Sequence, residues 1–203
     1  MPEDVPVRAR FELVYVDRDD IPDYQRLNGV IHKCHEYYHD GDDGAKLKVI
    51  CDASEKYLVH EGKVPVLKIS DYNTYGLRGV HKEKGSNWTG LVRERSATNK
   101  SNGSSGAFGV GKFAPYNFSA FRTVLYSTKT REGETAFQGK AILTTFSEFD
   151  EDKQKNVVKQ NIGLFADTDS DNFDAVFSVD DIAPVFRRDV VGTDLFVLGF
   201  EKE

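Results

Sequence analysis

Only two cysteines, Cys34 and Cys51, occur in 203 residues. Two cannot build a disulfide framework, and neither lies in a CxxC pair, so a reducing, cytoplasmic setting is the simplest expectation. Long hydrophobic runs are missing too. No stretch approaches the ~18 apolar residues of a membrane span, and the opening MPEDVPVRAR lacks the apolar centre of a signal peptide, so no membrane partner is expected. Nor does charge of one sign prevail: 27 basic against 33 acidic residues leave a net charge of −6. Such a balance produces no field that would by itself draw nucleic acid or an anionic membrane to the surface. What the chain does contain is 39% hydrophobic and 12% aromatic residues, enough for the core of one mixed domain.

Val5, Val7, Ala9, Phe11, Leu13 and Tyr15 alternate with polar partners, the period of a half-buried strand. Asp20 and Pro22 then signal a helix start, and Tyr24, Leu27, Ile31, Cys34 and Tyr38 recur at helical spacing, predicting a helix over 21–39. Gly41 and Gly44 interrupt the pattern before Leu47, Ile50, Ala53, Tyr57 and Leu58 predict a second helix ending near Gly62. An apolar strand from Val64 to Ile69 delivers Asp71 at its end. Residues 72–106, rich in Gly, Ser, Asn and Thr, carry no sustained period; a loop of that length is usually functional or disordered. A brief helix is expected after Lys112, then strands at 123–128 and near 135–147, 157–166 and 194–200. The predicted class is α+β: a two-layer α/β sandwich with a mixed, mostly antiparallel sheet and helices on one face.

The run Gly106-Ala-Phe-Gly109-Val-Gly111-Lys112 carries the chemistry. Read as a P-loop it fails at Phe113, where that motif needs a Ser or Thr hydroxyl for magnesium, and no buried strand precedes it. Read as a dinucleotide fingerprint it lacks the surrounding βαβ unit. A flexible Gly/Ser connector is the plain alternative.

Three separated features together resemble the GHKL (Bergerat-fold) ATPases, the superfamily of DNA gyrase, the ninety-kilodalton heat-shock chaperones, histidine kinases and MutL. Ile69-Ser-Asp71-Tyr-Asn-Thr-Tyr-Gly76-Leu resembles the segment whose Asp accepts a hydrogen bond from the adenine amino group and whose glycine admits the base. Gly106, Phe108, Gly109, Val110, Gly111 and Lys112 resemble the lid that encloses the phosphates through backbone N–H groups, with the lysine adding a charge. Gly192-Thr193 is similar to the late Gly-Thr pair near the adenine. The first segment departs from D-x-G-x-G in having Asn73 at the first glycine and one extra residue before Gly76. With Ala136-Phe-Gln-Gly139, it is similar to bacterial MutL-like and MORC-like ATPases of restriction and phage-defence clusters.

The resemblance implies a single ATP-binding domain over residues 1–203 whose lid closure is coupled to homodimerisation or DNA handling in a defence or repair system. It also implies a Glu and an Asn on a helix before the first strand, as general base and magnesium ligand for hydrolysis. Neither appears here in that arrangement. We therefore expect a chain truncated at its amino terminus and continuing past residue 203 in a parent ATPase, a naturally degenerate binder being the alternative, with ATP as ligand, Mg2+ only alongside the missing helix, and no catalytic residue of its own. Two other readings stand beside it: a non-catalytic protein-interaction module keeping the fold, and a histidine-kinase-like catalytic domain.

His32, Cys34, His35 and His39 cluster on the first predicted helix, with His35 and His39 at zinc-ligand spacing, but no further ligand group follows and a structural reading is favoured. Trp88 is expected to pack under the lid rather than stack on a base. Arg93, Arg95, Lys100 and Lys112 make the loop locally basic, which suits phosphate closure or a solvated surface equally.

Overall fold

A computed structural model describes residues 5–82, 84–94, 110–167, 170 and 173–201. Six strands form one sheet: β1 (Arg8–Asp17), β2 (Lys63–Tyr72), β8 (Gly192–Leu198), β3 (Thr123–Lys129), β4 (Thr135–Ile142) and β7 (Ile162–Phe165), in that spatial order. Every pairing is antiparallel. Between β1 and β2 stand α1 (Tyr24–Tyr37) and α2 (Gly41–Ser54), and α3 (Ala114–Asn117) precedes β3. A separate hairpin joins β5 (Phe146–Asp150) to β6 (Lys155–Lys159). The α+β class and the antiparallel sheet follow the strand alternation in the sequence.

Register sorts the sheet's side chains onto two faces. Val16, Val64, Val66, Phe196, Leu198, Leu125 and Phe137 share one face, and Ile31, Cys51, Tyr57 and Leu58 of the long helical layer pack against them with Phe186 and Phe121. Each fully buried Phe here is worth about 1.5–3 kcal/mol of transfer free energy. The opposite face presents Leu67, Ile69, Leu195, Val197, Val124 and Tyr126, covered by Val80, Trp88, Val92, Phe113 and Tyr116 from the connection between β2 and β3. The two long helices thus lie on one face, and short helical turns cover the other. Trp88, fully buried, packs within this second core; the lid it was expected to lie under falls largely outside the described residues.

Several elements depart from expectation for identifiable reasons. The first helix begins at Tyr24, not near 21, because Arg18–Asp20 close a 3-10 turn and buried Ile21 is extended, φ −77 and ψ 118, ahead of Pro22. A residue before proline is driven out of the helical region. The second helix continues past Ser54 as a π-helical stretch, Glu55–Glu61, and Arg18 closes its end by donating to the carbonyls of Leu58 and Val59 at 3.0 and 2.6 Å. Within the supposed loop, Thr89–Arg93 form another π-helical turn.

The strand expected over 135–147 is two: the chain leaves the sheet after Ile142, and β5 packs on α1 through Phe146 against Cys34 and the Tyr38–Thr145 hydroxyl pair at 2.7 Å. Lys33 also bonds the Glu148 carboxylate. That hydrogen bond outweighs the opposing effect of burial and holds Glu148 below its usual range. Its contribution is therefore present at neutral pH, above the unfolded glutamate pKa, and lost as pH falls through the lowered folded value. Because both side chains are partly exposed, Glu148→Gln should cost no more than about 1 kcal/mol at neutral pH in urea unfolding. The gap to the wild type should narrow below the ordinary glutamate range.

Candidate functional site

The β2–β8 ladder ends at the pair Ser70↔Asp194. One residue further on, the Thr193 N–H donates to Asp71 Oδ1 at 2.7 Å, while the Asp71 carbonyl accepts from Arg188 Nη2. The same Oδ1 accepts the Thr74 hydroxyl at 2.8 Å, and Thr74 Oγ1 in turn accepts the Gly76 N–H at 3.3 Å. Asp71 Oδ2 has no partner among the described residues. A half-buried carboxylate is thus held at one oxygen and left open at the other.

Thr128 on β3 links the remaining parts. Its hydroxyl accepts the Leu77 N–H at 2.8 Å, donates to the Gly192 carbonyl at 3.1 Å, and stands 3.3 Å from the Thr193 hydroxyl. Two glycines are required by this closeness. Gly76, at φ +70, brings its backbone so near β3 that a Cβ would strike the Lys129 carbonyl and come within 3.1 Å of Thr128 Oγ1. Gly192, at φ +138, leaves no room either: a Cβ would meet Arg188 Nη2, the Asp71 carbonyl and, at 2.6 Å, Asp71 Oδ1.

Arg188 is the group that residue patterns do not announce. Its side chain is almost fully buried, and it binds Asp194, the Asp71 carbonyl and the Val190 carbonyl at 2.9 Å. Lys68 Nζ adds a second cation 3.2 Å from Asp194. The Tyr72 ring lies beside Arg188 and Arg8, at 4.7 and 4.4 Å. Arg188 lies outside any regular element, six positions before its carboxylate partner, and its contact with Asp71 spans 117 positions. Only the tertiary structure brings it in.

Of the residues singled out in the sequence, Asp71, Gly76 and Thr193 converge. Asn73 does not join them: at φ +61 it turns away and donates from Nδ2 to the Pro6 carbonyl at 2.8 Å, anchoring the segment before β1. Gly106, Phe108 and Gly109 lie outside the described residues, as does the Val110 side chain. Gly111 faces open space. Lys112 does not point freely at a phosphate position; its ammonium donates to the carbonyls of Gly90 and Glu94 at 3.1 and 2.9 Å, closing the Thr89–Arg93 turn. Burial, opposed by the Glu94 charge, lowers its pKa.

Lys112 nonetheless belongs to the Asp71 side of the sheet, because its neighbour Phe113 packs with Trp88 and Tyr126 in the second core. On that side, Trp88 Nε1, Gln138 Oε1 and Glu94 Oε2 are buried with no hydrogen-bond partner among the described residues. Tyr116 and Tyr126 pair through their hydroxyls at 2.9 Å, and burial pushes the Tyr126 phenol up to about 12. A cleft of about 410 Å³ bounded by Tyr38, Lys46, Phe113, Tyr116, Arg122 and Thr144 lies at the start of β3, the end away from Thr128, with Tyr116 of this pair on its wall.

The histidine cluster resolves into helix-to-helix contacts. Cys51 Sγ lies 3.2 Å from His32 Nδ1, and His32 Nε2 lies 2.6 Å from Glu55 Oε1, a thiol, imidazole and carboxylate in series. Burial first, then the charges of Asp52 and Glu55, push the Cys51 thiol up, away from the thiolate form. Cys34 is likewise raised by burial and donates to the Thr144 carbonyl, while His39 pairs with Asp40 at 3.1 Å. Among the described residues, no group of three or more His, Cys, Asp or Glu side chains is placed to hold a metal, and no helix is long and apolar enough to cross a membrane.

No family model matches the chain, and neither does any curated protein or solved structure. Its geometry therefore stands alone. Gly192→Ala should test that geometry by lowering stability roughly 2–4 kcal/mol in denaturant unfolding, since the added methyl must displace Asp71 or Arg188.

Proposed function

We propose that the Asp71 end of the sheet binds the adenine side of ATP, and that the chain is the nucleotide-binding domain of a GHKL-type ATPase. The observation that carries this reading is the Asp71 carboxylate, gripped at Oδ1 by Thr193 and Thr74 and open at Oδ2. A carboxylate oxygen fixed in direction is the acceptor that an exocyclic amino group needs. Gly76 keeps the adjoining backbone free of side-chain bulk, and Thr193 offers a hydroxyl beside it, the route by which a water can reach the base. The polar atoms of Trp88, Gln138 and Glu94 on that side that lack a partner among the described residues fit a polar ligand or water rather than a dry core.

On this reading Gly111 and Lys112 belong to the lid over the phosphates. Lys112 would have to exchange the Gly90 and Glu94 carbonyls for phosphate oxygens, a change that suits closure on binding. Mg2+ has no ligand set among the described residues. The Glu and Asn that the resemblance places on a preceding helix would supply that ligand and the general base. Dimerisation, DNA handling and a defence or repair setting belong to this proposal on resemblance alone. The engagement of Lys112 by backbone carbonyls favours one alternative, a protein-interaction module that keeps the fold without phosphate contacts.

Calorimetric titration of the purified chain with ATP and Mg2+ separates the two. The expected result is weak binding, lost in Asp71→Asn, with no turnover above background. Undetectable binding would favour the interaction module; hydrolysis abolished by Asp71→Ala would contradict the absence of catalytic residues.

A further inference from the structure

β1 is an edge strand: among the described residues, no strand pairs with its outer side. Its ten residues stay in continuous register with β2 from Arg8↔Tyr72 to Asp17↔Lys63, without a bulge, and no proline interrupts them. Natural sheets usually blunt such an edge by shortening, bulging or covering it. Here the strand also carries an unpartnered apolar row. Phe11, Leu13 and Tyr15, exposed by 66, 44 and 66%, share the sheet face that bears Asp71, and Val7, 54% exposed, immediately precedes the strand. On the other face Arg10 and Glu12 form an ion pair at 2.7 Å, both open to solvent at least in part.

We infer that this edge is where a second copy of the chain adds its own β1, extending the sheet across a two-fold axis. Isologous pairing of antiparallel strands must bring apolar face to apolar face, so the axis has to pass through a residue of β1 rather than between two. Charge then selects the register. An axis at Arg10 or at Glu12 would set like charges directly opposite each other, which is destabilising. An axis at Leu13 would face Asp17 with Ala9 on the apolar side and leave Arg10 and Glu12 opposite valines.

An axis at Phe11 does better on both faces. It stacks Phe11 on its symmetry mate, sets Val7 against Tyr15 and Ala9 against Leu13, and places each Arg10 opposite the other copy's Glu12. The existing Arg10–Glu12 pairs then merge into a ring of four alternating charges. Both Asp71 sites open on the same side of the joined sheet. The pairing uses backbone and side chains of β1 alone and does not depend on the nucleotide reading.

Sedimentation equilibrium of the purified chain across a concentration series tests it. The expected result is a monomer–dimer equilibrium. Arg10→Glu, which sets Glu against Glu at both crossings, should weaken it by about tenfold or more. Adding Glu12→Arg to that variant restores opposite charges and should recover the dimer, while Phe11→Lys should abolish it; circular dichroism of each variant should match the wild type. A monomer at every concentration, the outcome if some other segment covers the apolar row, would overturn the inference. So would a dimer indifferent to Arg10→Glu and Phe11→Lys, or one that the double charge reversal fails to rescue.

Discussion

Arg188 and Asp194 are buried together, the side chains 4 and 1% exposed, at the point where β2 and β8 stop pairing. Removing one partner of such a pair leaves an uncompensated charge in the interior, typically a loss of about 3–5 kcal/mol. Here the pair also decides what the backbone beside it can do. Because Arg188 satisfies the Asp71 carbonyl, the strands can part without orphaning it, and the Thr193 N–H is released to the Asp71 carboxylate. The open acceptor of the site is a consequence of that clamp.

The two faces of the sheet are built differently. One packs Val16, Val66, Phe196, Leu198 and the long helices, with Phe186 stacked on Phe137 and edge-on to Phe196, and carries the buried Arg188–Asp194 pair and Lys68 at its end. The other contains the Tyr116–Tyr126 hydroxyl pair, buried Gln138 and the Asp71–Thr128–Thr193 network among its apolar residues. Polar groups placed this way are costly unless something satisfies them. Those on the Asp71 side fit a ligand-facing layer, covered by the connection that carries Trp88 and Phe113.

Legibility followed the range of the interactions. The alternation in β1, the apolar run leading to Asp71 and the helical stripes of α1 and α2 are local signals, and each yields its element. Asp71, Gly76 and Thr193 are grouped in the sequence only by the resemblance; in the structure they meet because the backbones of Gly76 and Gly192 come close to Lys129 and Asp71. Asn73 belonged to the same motif, yet its side chain goes to Pro6, a contact 67 positions away. Lys112 was read by charge, whereas its partners are backbone carbonyls of a π-helical turn with no periodic signature. Arg188 escaped for the same reason: its role depends on strands from opposite ends of the chain meeting. The departure of β5 from the sheet was likewise hidden, since Phe146 alternates as well in one sheet as in the other.

Amide chemical shifts offer the most direct test of the central claim, that Thr193 holds Asp71 with one carboxylate oxygen turned to an adenine amino group. In 1H–15N spectra, adding ATP should shift the amides of Thr193, Gly76 and Leu77 together, and inosine triphosphate, which lacks that amino group, should leave them nearly unmoved. Equal shifts with both nucleotides, or none with ATP at a concentration far above that of the protein, would contradict the account.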